Sequence, residues 1–311
     1  MKASVLMITY NHERFIEQAI ESALGQRVSF PYEILIADDC STDGTIAIVR
    51  RYAARHPSRI RPLWTERNLG IVPNFLRTWQ ACRGQYIAVL EGDDYWTSER
   101  KLQCQVDAMD EHPEWPMSFQ PAQVVFDDGR PSYEYPAKPR KAIFTIRDLL
   151  LGNPIQTCAV IYRAGLVGGL PEGLERLSLA DWPLAILHAL RGEVGLVDEV
   201  MSVYRRHPGG SWSPQSTAWR ADQVHRMFDL LRPLLRRELE RPEPVWAHDA
   251  KWTALAMEEG SWRRARHYSR HCVRALPLRP YSWRLFLWAH LGRLGRALDP
   301  QRGRLSSGLP S

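Results

Sequence analysis

Three carboxylates follow one short apolar stretch of the chain. Residues 86–90, Tyr-Ile-Ala-Val-Leu, are typical of a buried strand, and Glu91, Asp93 and Asp94 come directly after them with only Gly92 between. Carboxylates crowd at a strand end when a cation joins them, and oxygen ligands suit a hard cation such as Mg²⁺ or Mn²⁺. These three residues are therefore candidate metal ligands. A solvated acidic turn is the alternative interpretation.

A second pair of carboxylates follows an earlier strand pattern. Residues 4–11 are typical of a strand that runs into a polar turn, and apolar residues at helical spacing follow over 15–24. Residues 33–39 form another apolar stretch, which ends in Asp38 and Asp39. A helix is predicted after it, with Ser41 or Thr42 as its N-cap.

The order of these elements predicts an α/β fold. A third strand over 60–65, a turn at 67–70 and a helix over 74–82 precede the strand that ends at Glu91. This alternation predicts a mostly parallel, doubly wound sheet, in which the carboxyl ends of the strands share one edge. The polar residues at that edge should therefore converge, namely Asp38, Asp39, Asn68, Asp93 and Asp94.

Five motifs in order resemble the family 2 glycosyltransferases of the GT-A fold. They are ITYNHERFIEQAIESALGQ, ILIADDCSTDGT, ERNLG, VLEGDDYW, and the pair LADWP and YRRHPGGSWS, which together span about residues 3–213. The resemblance implies a transferase that moves a hexosyl or N-acetylhexosaminyl group from a nucleoside-diphosphate sugar, here a UDP-sugar, with inversion and with Mn²⁺ or Mg²⁺. The acceptor would be a glycan, a lipid-linked glycan or a peptide.

The resemblance also implies a role for particular residues. The EGDD segment occupies the place of the family's DxD motif, with Glu91 where the first aspartate usually stands, and Asp93 or Asp94 as the metal contact. Glycine at the nucleotide turn would let the backbone approach the nucleotide closely. The implied donor-binding residues are Thr9, Tyr10, Asn11, Asp38, Asp39, Asn68, Gly70, Asp93, Arg205 and Arg206.

Two further motifs supply the implied base and a loop over the diphosphate. Asp181, in LADWP at the start of a helical pattern, is the candidate general base, and an N-cap role is the alternative. His207 follows Arg205 and Arg206 before a Gly-Gly turn, and its imidazole is a candidate metal or diphosphate contact. Lys101 and Arg77 are assigned to solvated helix faces.

Composition indicates the compartment. The chain has 311 residues, five scattered cysteines and a formal net charge of +6. The cysteines form no CxxC pair, no signal peptide pattern is present, and no apolar run is long enough to span a bilayer. A cytoplasmic protein is expected, and no nucleic-acid partner is expected.

The C-terminal region is predicted to be helical. We expect a catalytic domain over 1–213, helices over 214–298 that resemble one tetratricopeptide unit, and a disordered tail over 299–311. The region after Arg263 is rich in arginine and poor in acids, which indicates an anionic partner. The apolar residues around 283–288 suit either an interfacial helix, peripheral at the inner face of an anionic membrane, or a helix that packs inward.

Two other functional classes share part of this pattern. A sugar nucleotidyltransferase has the same sheet order and acidic strand ends, but residues 9–14 lack the glycine-rich phosphate loop it needs. A non-catalytic scaffold with a partner-binding helical tail is the second alternative, and the intact acidic residues argue against it.

Overall fold

The computed structural model describes residues 1–235, 243–258, 261–275 and 280–291. The chain divides into two units, which are described separately below. The first contains Met1–Leu149 and Pro154–Ser213, and the second contains Leu150–Asn153 and the chain from Pro214 onward. The tail predicted over 299–311 lies outside the described residues.

Strands and helices alternate through the first 90 residues, as predicted. These elements are β1 (Ala3–Thr9), α1 (Ile16–Leu24), β2 (Tyr32–Asp38), α2 (Thr45–Arg55), β3 (Ile60–Leu63), α3 (Ile71–Ala81) and β4 (Tyr86–Val89). Strands β1 and β2 are buried along their whole length, which explains why their central residues, 5–8 and 34–37, are apolar without alternation.

The predicted parallel order of these strands is confirmed. Strand β1 pairs in parallel with β2 on one side and β4 on the other, and β2 pairs in parallel with β3. The register places Thr9 opposite Asp38, and the Gly92 N–H donates to the Ile8 carbonyl at 2.9 Å. The acidic ends of β2 and β4 therefore flank the end of β1.

The rest of the first unit extends this sheet and adds a second one. Its elements are β5 (Tyr95–Trp96), α4 (Lys101–Glu111), β6 (Met117–Phe119), β7 (Ala122–Phe126), β8 (Tyr133–Tyr135), β9 (Ile143–Phe144), β10 (Val160–Arg163), α6 (Asp181–Ala189), β11 (Val194–Leu196) and β12 (Ser202–Arg206), with α5 (Ile146–Leu151) divided between the two units after Leu149. The large sheet has the order β3-β2-β1-β4-β10-β6-β11-β9, and the small sheet has the order β5-β12-β7-β8. Strand β10 is antiparallel to both of its neighbours, so the large sheet is mixed beyond β4.

The predicted N-cap of α2 is wrong. The helix begins at Thr45, whose backbone N–H is held by the Asp43 carboxylate at 3.0 Å. The Ser41 hydroxyl instead donates to Asp38 at 2.6 Å. The residues from Cys40 to Gly44 are thus a turn that belongs to the sheet edge rather than to the helix.

The second unit is helical, as predicted. Its helices are α7 (Thr217–Leu231), α8 (Glu243–Glu258), α9 (Trp262–Ala275) and α10 (Pro280–Leu291). Helices α8, α9 and α10 share an apolar core that includes Ala250, Cys272 and Trp288. Among the described helices, none has the length and apolar character needed to cross a bilayer. The five cysteines are free thiols.

Candidate functional site

The acidic segment Glu91–Asp94 lies against the end of β1. A Cβ on Gly92 would approach the Thr9 hydroxyl oxygen to 2.7 Å and the Ile16 side chain to 2.9 Å. Only glycine fits there without a shift of the segment, because real Cβ contacts are longer. The carboxylates of Glu91, Asp93 and Asp94 come within 4.8 Å of one another.

The three carboxylates have different electrostatic environments. Burial raises the pKa of Glu91 well above its usual range, and the charges of Asp93, Asp94 and Asp181 raise it further. Burial and the Asp93 charge likewise raise the pKa of Asp94. Burial acts in the same direction on Asp93, but the His12 charge and a hydrogen bond from His207 outweigh it and lower the pKa of Asp93. Burial and mutual repulsion therefore disfavour ionisation of Glu91 and Asp94, whereas the two histidines favour the ionised form of Asp93.

Two histidines complete a second group around Asp93. The His207 Nε2 atom lies 3.0 Å from Asp93 Oδ2, and His12 Nε2 lies 3.7 Å from the same oxygen. The three side chains form a cluster that could hold a metal ion. His207 was identified from the sequence as a metal contact, whereas His12 was not. The signal for His12 was present in the motif ITYNHERF, one residue beyond the predicted base-contacting Asn11.

The residues present fit a divalent cation. Asp94 is fully buried, and its Oδ2 atom has no hydrogen-bond partner among the described residues. Burial of a carboxylate oxygen without a hydrogen-bond partner lowers stability unless a bound ligand contacts that oxygen. Glu91, Asp93 and Asp94 offer the oxygen atoms that Mg²⁺ and Mn²⁺ prefer, and the two histidines add nitrogen donors beside Asp93.

Arg205 holds the acidic segment rather than projecting from it. Its backbone N–H donates to Asp94 Oδ1 at 2.8 Å, and its guanidinium donates to the Asp93 carbonyl at 2.6 Å and to Gln18. The guanidinium also lies over the rings of Phe15 and Tyr95, at 5.1 and 4.4 Å from their centroids. These contacts fix the segment to β12.

Arg206 lies on the other side of β12 from these contacts. Its guanidinium is 5.7 Å from the centroid of the Phe126 ring, and its Nε atom is buried without a partner among the described residues. The structure thus gives Arg205 and Arg206, which are adjacent in sequence, different surroundings.

The turn after β2 is held by the two aspartates of the second acidic strand end. The Asp39 carboxylate accepts the backbone N–H groups of Leu69 and Gly70 at 2.8 and 2.9 Å. Asn68 donates its side-chain amide to the Asp39 carbonyl at 3.0 Å. Gly70 has a φ of 91°, which favours glycine. Asp39 and Asn68, two of the five residues predicted to converge, are therefore in contact, and Gly70 lies beside them.

The remaining residues of the predicted nucleotide pocket lie beside this turn. Both Asp38 oxygens accept from Ser41, so Asp38 organises the turn from a buried position. Asn11, in the left-handed region with φ 56°, donates its N–H to Ser41 and accepts from Thr42 through its side chain. Thr9 is buried, whereas Tyr10 is 43% exposed and available for stacking.

Asp181 is the first residue of helix α6, after the N-cap Ala180. The Tyr162 hydroxyl donates to its carbonyl at 3.5 Å. The Asp181 charge raises the pKa of Glu91, so the half-buried Asp181 carboxylate lies within electrostatic range of the acidic segment. The position is compatible with the predicted base.

The assignment of Lys101 and Arg77 to solvated helix faces is wrong. Lys101 is fully buried, and its ammonium lies 4.0 Å from the centroid of the Trp96 ring. Arg77 donates to the carbonyls of Leu63, Trp64 and Asp38 and to the Asn74 side chain. Arg77 therefore ties α3 to the ends of β2 and β3.

Comparison with known proteins identifies the family. A family model described as Glycosyl transferase family 2 matches residues 4–167. The Mycobacterium tuberculosis protein Rv1520 is 40% identical over 210 residues, which cover 67% of this chain and 60% of that protein. TuaG of Bacillus subtilis, a putative teichuronic acid biosynthesis glycosyltransferase, is 31% identical over 184 residues, which cover 58% of this chain and 69% of TuaG. The chain thus spans 60% of the length of the mycobacterial relative.

Solved structures show the same fold. Residues 1–349 of TarS from S. aureus, in complex with UDP-GlcNAc, have a TM-score of 0.58 at 19% identity, covering 94% of this chain and 92% of that one. The mannosyltransferase PcManGT of Pyrobaculum calidifontis, in complex with GDP-Man and Mn²⁺, has a TM-score of 0.53 at 20% identity, covering 94% and 87%. These similarities and the sheet order confirm the predicted GT-A-type fold. With the family model matched over more than half of its length, the chain belongs to glycosyl transferase family 2.

Proposed function

We propose that this chain transfers a sugar from a UDP-sugar to a hydroxyl acceptor with inversion of the anomeric carbon. The observation that carries the proposal is the placement of two acidic strand ends at one edge of the sheet, on either side of β1. The Asp39 turn would bind the nucleotide, and the Glu91–Asp94 segment at the same edge has two histidines around Asp93. TarS was solved with UDP-GlcNAc and with UDP, which supports a uridine nucleotide and an N-acetylhexosaminyl or hexosyl group.

A divalent cation, Mn²⁺ or Mg²⁺, is proposed at the acidic segment. When bound to Glu91, Asp93 and Asp94, it would supply positive charge against the departing diphosphate. The Mn²⁺ in the mannosyltransferase structure supports this assignment. His207 and His12 hold the Asp93 carboxylate in place and offer further donor atoms.

Asp181 is proposed as the general base. Its carboxylate would accept the proton of the acceptor hydroxyl as that oxygen attacks the anomeric carbon. The bond between the anomeric carbon and the diphosphate oxygen breaks in the same step, and its electron pair leaves with the nucleoside diphosphate. The placement of Asp181 at the start of α6, near Glu91, supports this role.

The acceptor is proposed to be a growing surface glycan, a lipid-linked glycan or a peptide. Among the relatives, TuaG is named for teichuronic acid biosynthesis and TarS for transfer to poly(ribitol-phosphate), which favours a polysaccharide or related polymer. The five free thiols support a reducing, cytoplasmic compartment.

The test of the base is the substitution Asp181→Asn. It keeps the shape of the side chain and removes its basicity, so UDP-sugar affinity should persist while transfer falls by about 10²–10⁴-fold. Glu175→Gln, at an exposed carboxylate in the turn that precedes α6, is the control and should transfer normally. Near-normal transfer by Asp181→Asn would refute the assignment.

The test of the cation is Mn²⁺ binding to the protein without donor. Asp93→Asn should abolish binding in calorimetry and lower kcat/KM by orders of magnitude, while Asp128→Asn, at an exposed aspartate, should change neither. Full activity in excess EDTA would contradict the proposal.

Release of pyrophosphate from UTP and a sugar 1-phosphate would instead support a nucleotidyltransferase.

A further inference from the structure

The positive charge of this chain is concentrated in its second unit. Residues 214–311 contain 18 lysines and arginines against 9 acidic residues, whereas residues 1–213 contain 23 against 26. From Arg263 to the end of the sequence there are 11 arginines and one acidic residue, Asp299. A sequence with this charge imbalance favours an anionic partner.

Helix α9 presents part of this charge as a stripe. The residues at i, i+4, i+7 and i+11 from its second position lie on one helical face and are all exposed, and they are Arg263, His267, Arg270 and Arg274. Arg264 is exposed as well. The helix contains no acidic residue. The opposite face is buried, and it contains Ala265, Tyr268 and Cys272.

Helix α10 adds apolar surface within the same unit. Its inner face contributes Leu285, Trp288 and Ala289 to the core shared with α8 and α9. Trp283 and Leu287, four positions apart and therefore neighbours on the helix surface, are each 47% exposed. Inward packing, one of the two alternatives from the sequence, is thus present on one face of α10, and two apolar residues are exposed on another.

We propose that the α9 stripe together with Trp283 and Leu287 binds the surface of an anionic membrane. The combination of side chains favours lipid over a soluble polyanion. Arginines would attract phosphate headgroups and a polyanionic glycan equally, but an exposed leucine beside a tryptophan gains from the apolar layer beneath the headgroups. Binding of this kind places the chain on a membrane without a spanning helix.

Sedimentation of the full-length protein with lipid vesicles tests this inference. The protein should bind vesicles that contain phosphatidylglycerol and should not bind phosphatidylcholine vesicles, and binding should weaken as salt rises. Substitution of the four exposed arginines of α9 by serine should lower the partition coefficient by at least about 100-fold. The variant Trp283→Ser/Leu287→Ser should lower it by about 10-fold or more through lost apolar contact.

Matched controls separate local contact from net charge. Arginines of the first unit serve as the charge control: four exposed ones, Arg27, Arg100, Arg130 and Arg176, can be changed to serine with the same loss of charge, and this variant should still bind. Trp64→Ser/Tyr133→Ser, at two residues that are each 40% exposed, controls for the apolar pair. Unfolding midpoints of all variants show whether the second unit remains folded.

Three results would overturn the inference. The first is that the α9 variant and its charge-matched control have equal partition coefficients, and the second is that the native protein binds vesicles made only of phosphatidylcholine. The third is that a soluble polyphosphate displaces the protein from the vesicles, while the Trp283→Ser/Leu287→Ser variant and the native chain have the same partition coefficient. The last result would identify an anionic polymer as the partner. Vesicle binding does not require sugar transfer, so its failure leaves the proposed transferase activity open to its own tests.

Discussion

Replacement of Lys101 by methionine should stabilise this protein. Lys101 is fully buried in α4, and its ammonium has no hydrogen-bond partner among the described residues. Burial lowers the pKa of Lys101 from its ordinary 10.5 to about 7, with a smaller opposing effect from Cys158. The nearest compensation is the Trp96 ring, 4.0 Å from the ammonium. The folded state therefore contains a cation that it solvates poorly.

The size of the effect follows from this pKa. A fall from 10.5 to about 7 corresponds to about 5 kcal/mol of unfavourable free energy for the charged form. The cation–π contact with Trp96 offsets about 2 kcal/mol of it. Methionine has a similar length, carries no charge and packs well against aromatic rings. Lys101→Met should therefore raise the free energy of unfolding by about 3 kcal/mol near or below neutral pH.

The gain should depend on pH with a definite sign. Between the folded pKa of about 7 and the unfolded value of 10.5, the unfolded chain binds more protons at Lys101 than the folded chain does. The contribution of Lys101 to the free energy of unfolding of the native protein should therefore become less unfavourable as pH rises from about 7 to 10.5. The advantage of Lys101→Met should be complete below pH 7 and disappear as pH approaches 10.5.

Urea unfolding at several pH values measures both effects. Lys2→Met is a suitable control, because Lys2 also lies over an aromatic ring, at 5.2 Å from the Tyr86 centroid, but is partly exposed and pairs with Asp110 at 2.7 Å. It should cost at most about 1 kcal/mol and show no matching pH dependence. If Lys101→Met were equally or less stable than the native protein below pH 7, the ammonium would have a stabilising partner and the reasoning would be refuted.

Three further predictions concern the candidate site. Because burial raises the pKa of Glu91 and Asp94, Mn²⁺ affinity should increase with pH, and binding should release protons. Calorimetry in buffers of different ionisation enthalpy measures the released protons, and a Mn²⁺ affinity independent of pH would contradict this prediction. Gly92→Ala should destabilise the first unit by about 1–3 kcal/mol and weaken Mn²⁺ binding, whereas Gly168→Ala, with nothing within 4 Å of the added carbon, should do neither. Asp39→Asn should reduce UDP affinity by about 10-fold through the turn that its two oxygens hold, with Mn²⁺ binding unchanged.

The parallel half of the fold could be predicted from the sequence because each strand has a clear local signal. Strands β1, β2 and β4 each contain a continuous apolar run, over residues 5–8, 34–37 and 86–89, and β2 and β4 lead into carboxylates. Parallel pairing then requires those ends to share an edge. The placement of the ends of β2 and β4 on either side of the end of β1 followed from topology alone. Strands β5 to β12 have only two to five residues each, too few for a recognisable period.

The surroundings of individual charged residues could not be predicted in the same way. Helical periodicity assigns a lysine or arginine to the solvated face, and this rule fails where tertiary packing closes over a long side chain. Arg77 is an example, because its partners are three carbonyls from the ends of β2 and β3. The structural role of Arg205 was also not predictable, since it depends on the pairing of β12 with β5 beside the acidic segment.

Lys101 and Asp94 together show where this chain departs from ordinary core composition. Each is fully buried and has a polar atom without a partner among the described residues, on either side of Trp96 in sequence. A core selected for stability alone would contain apolar residues at both positions. The cation proposed at the acidic segment would coordinate this Asp94 oxygen, and the proposal predicts that Mn²⁺ stabilises the native protein but not Asp93→Asn. Departures from ordinary core composition are expected at functional sites, so the acidic end of β4 is the strongest candidate for a catalytic site in this chain.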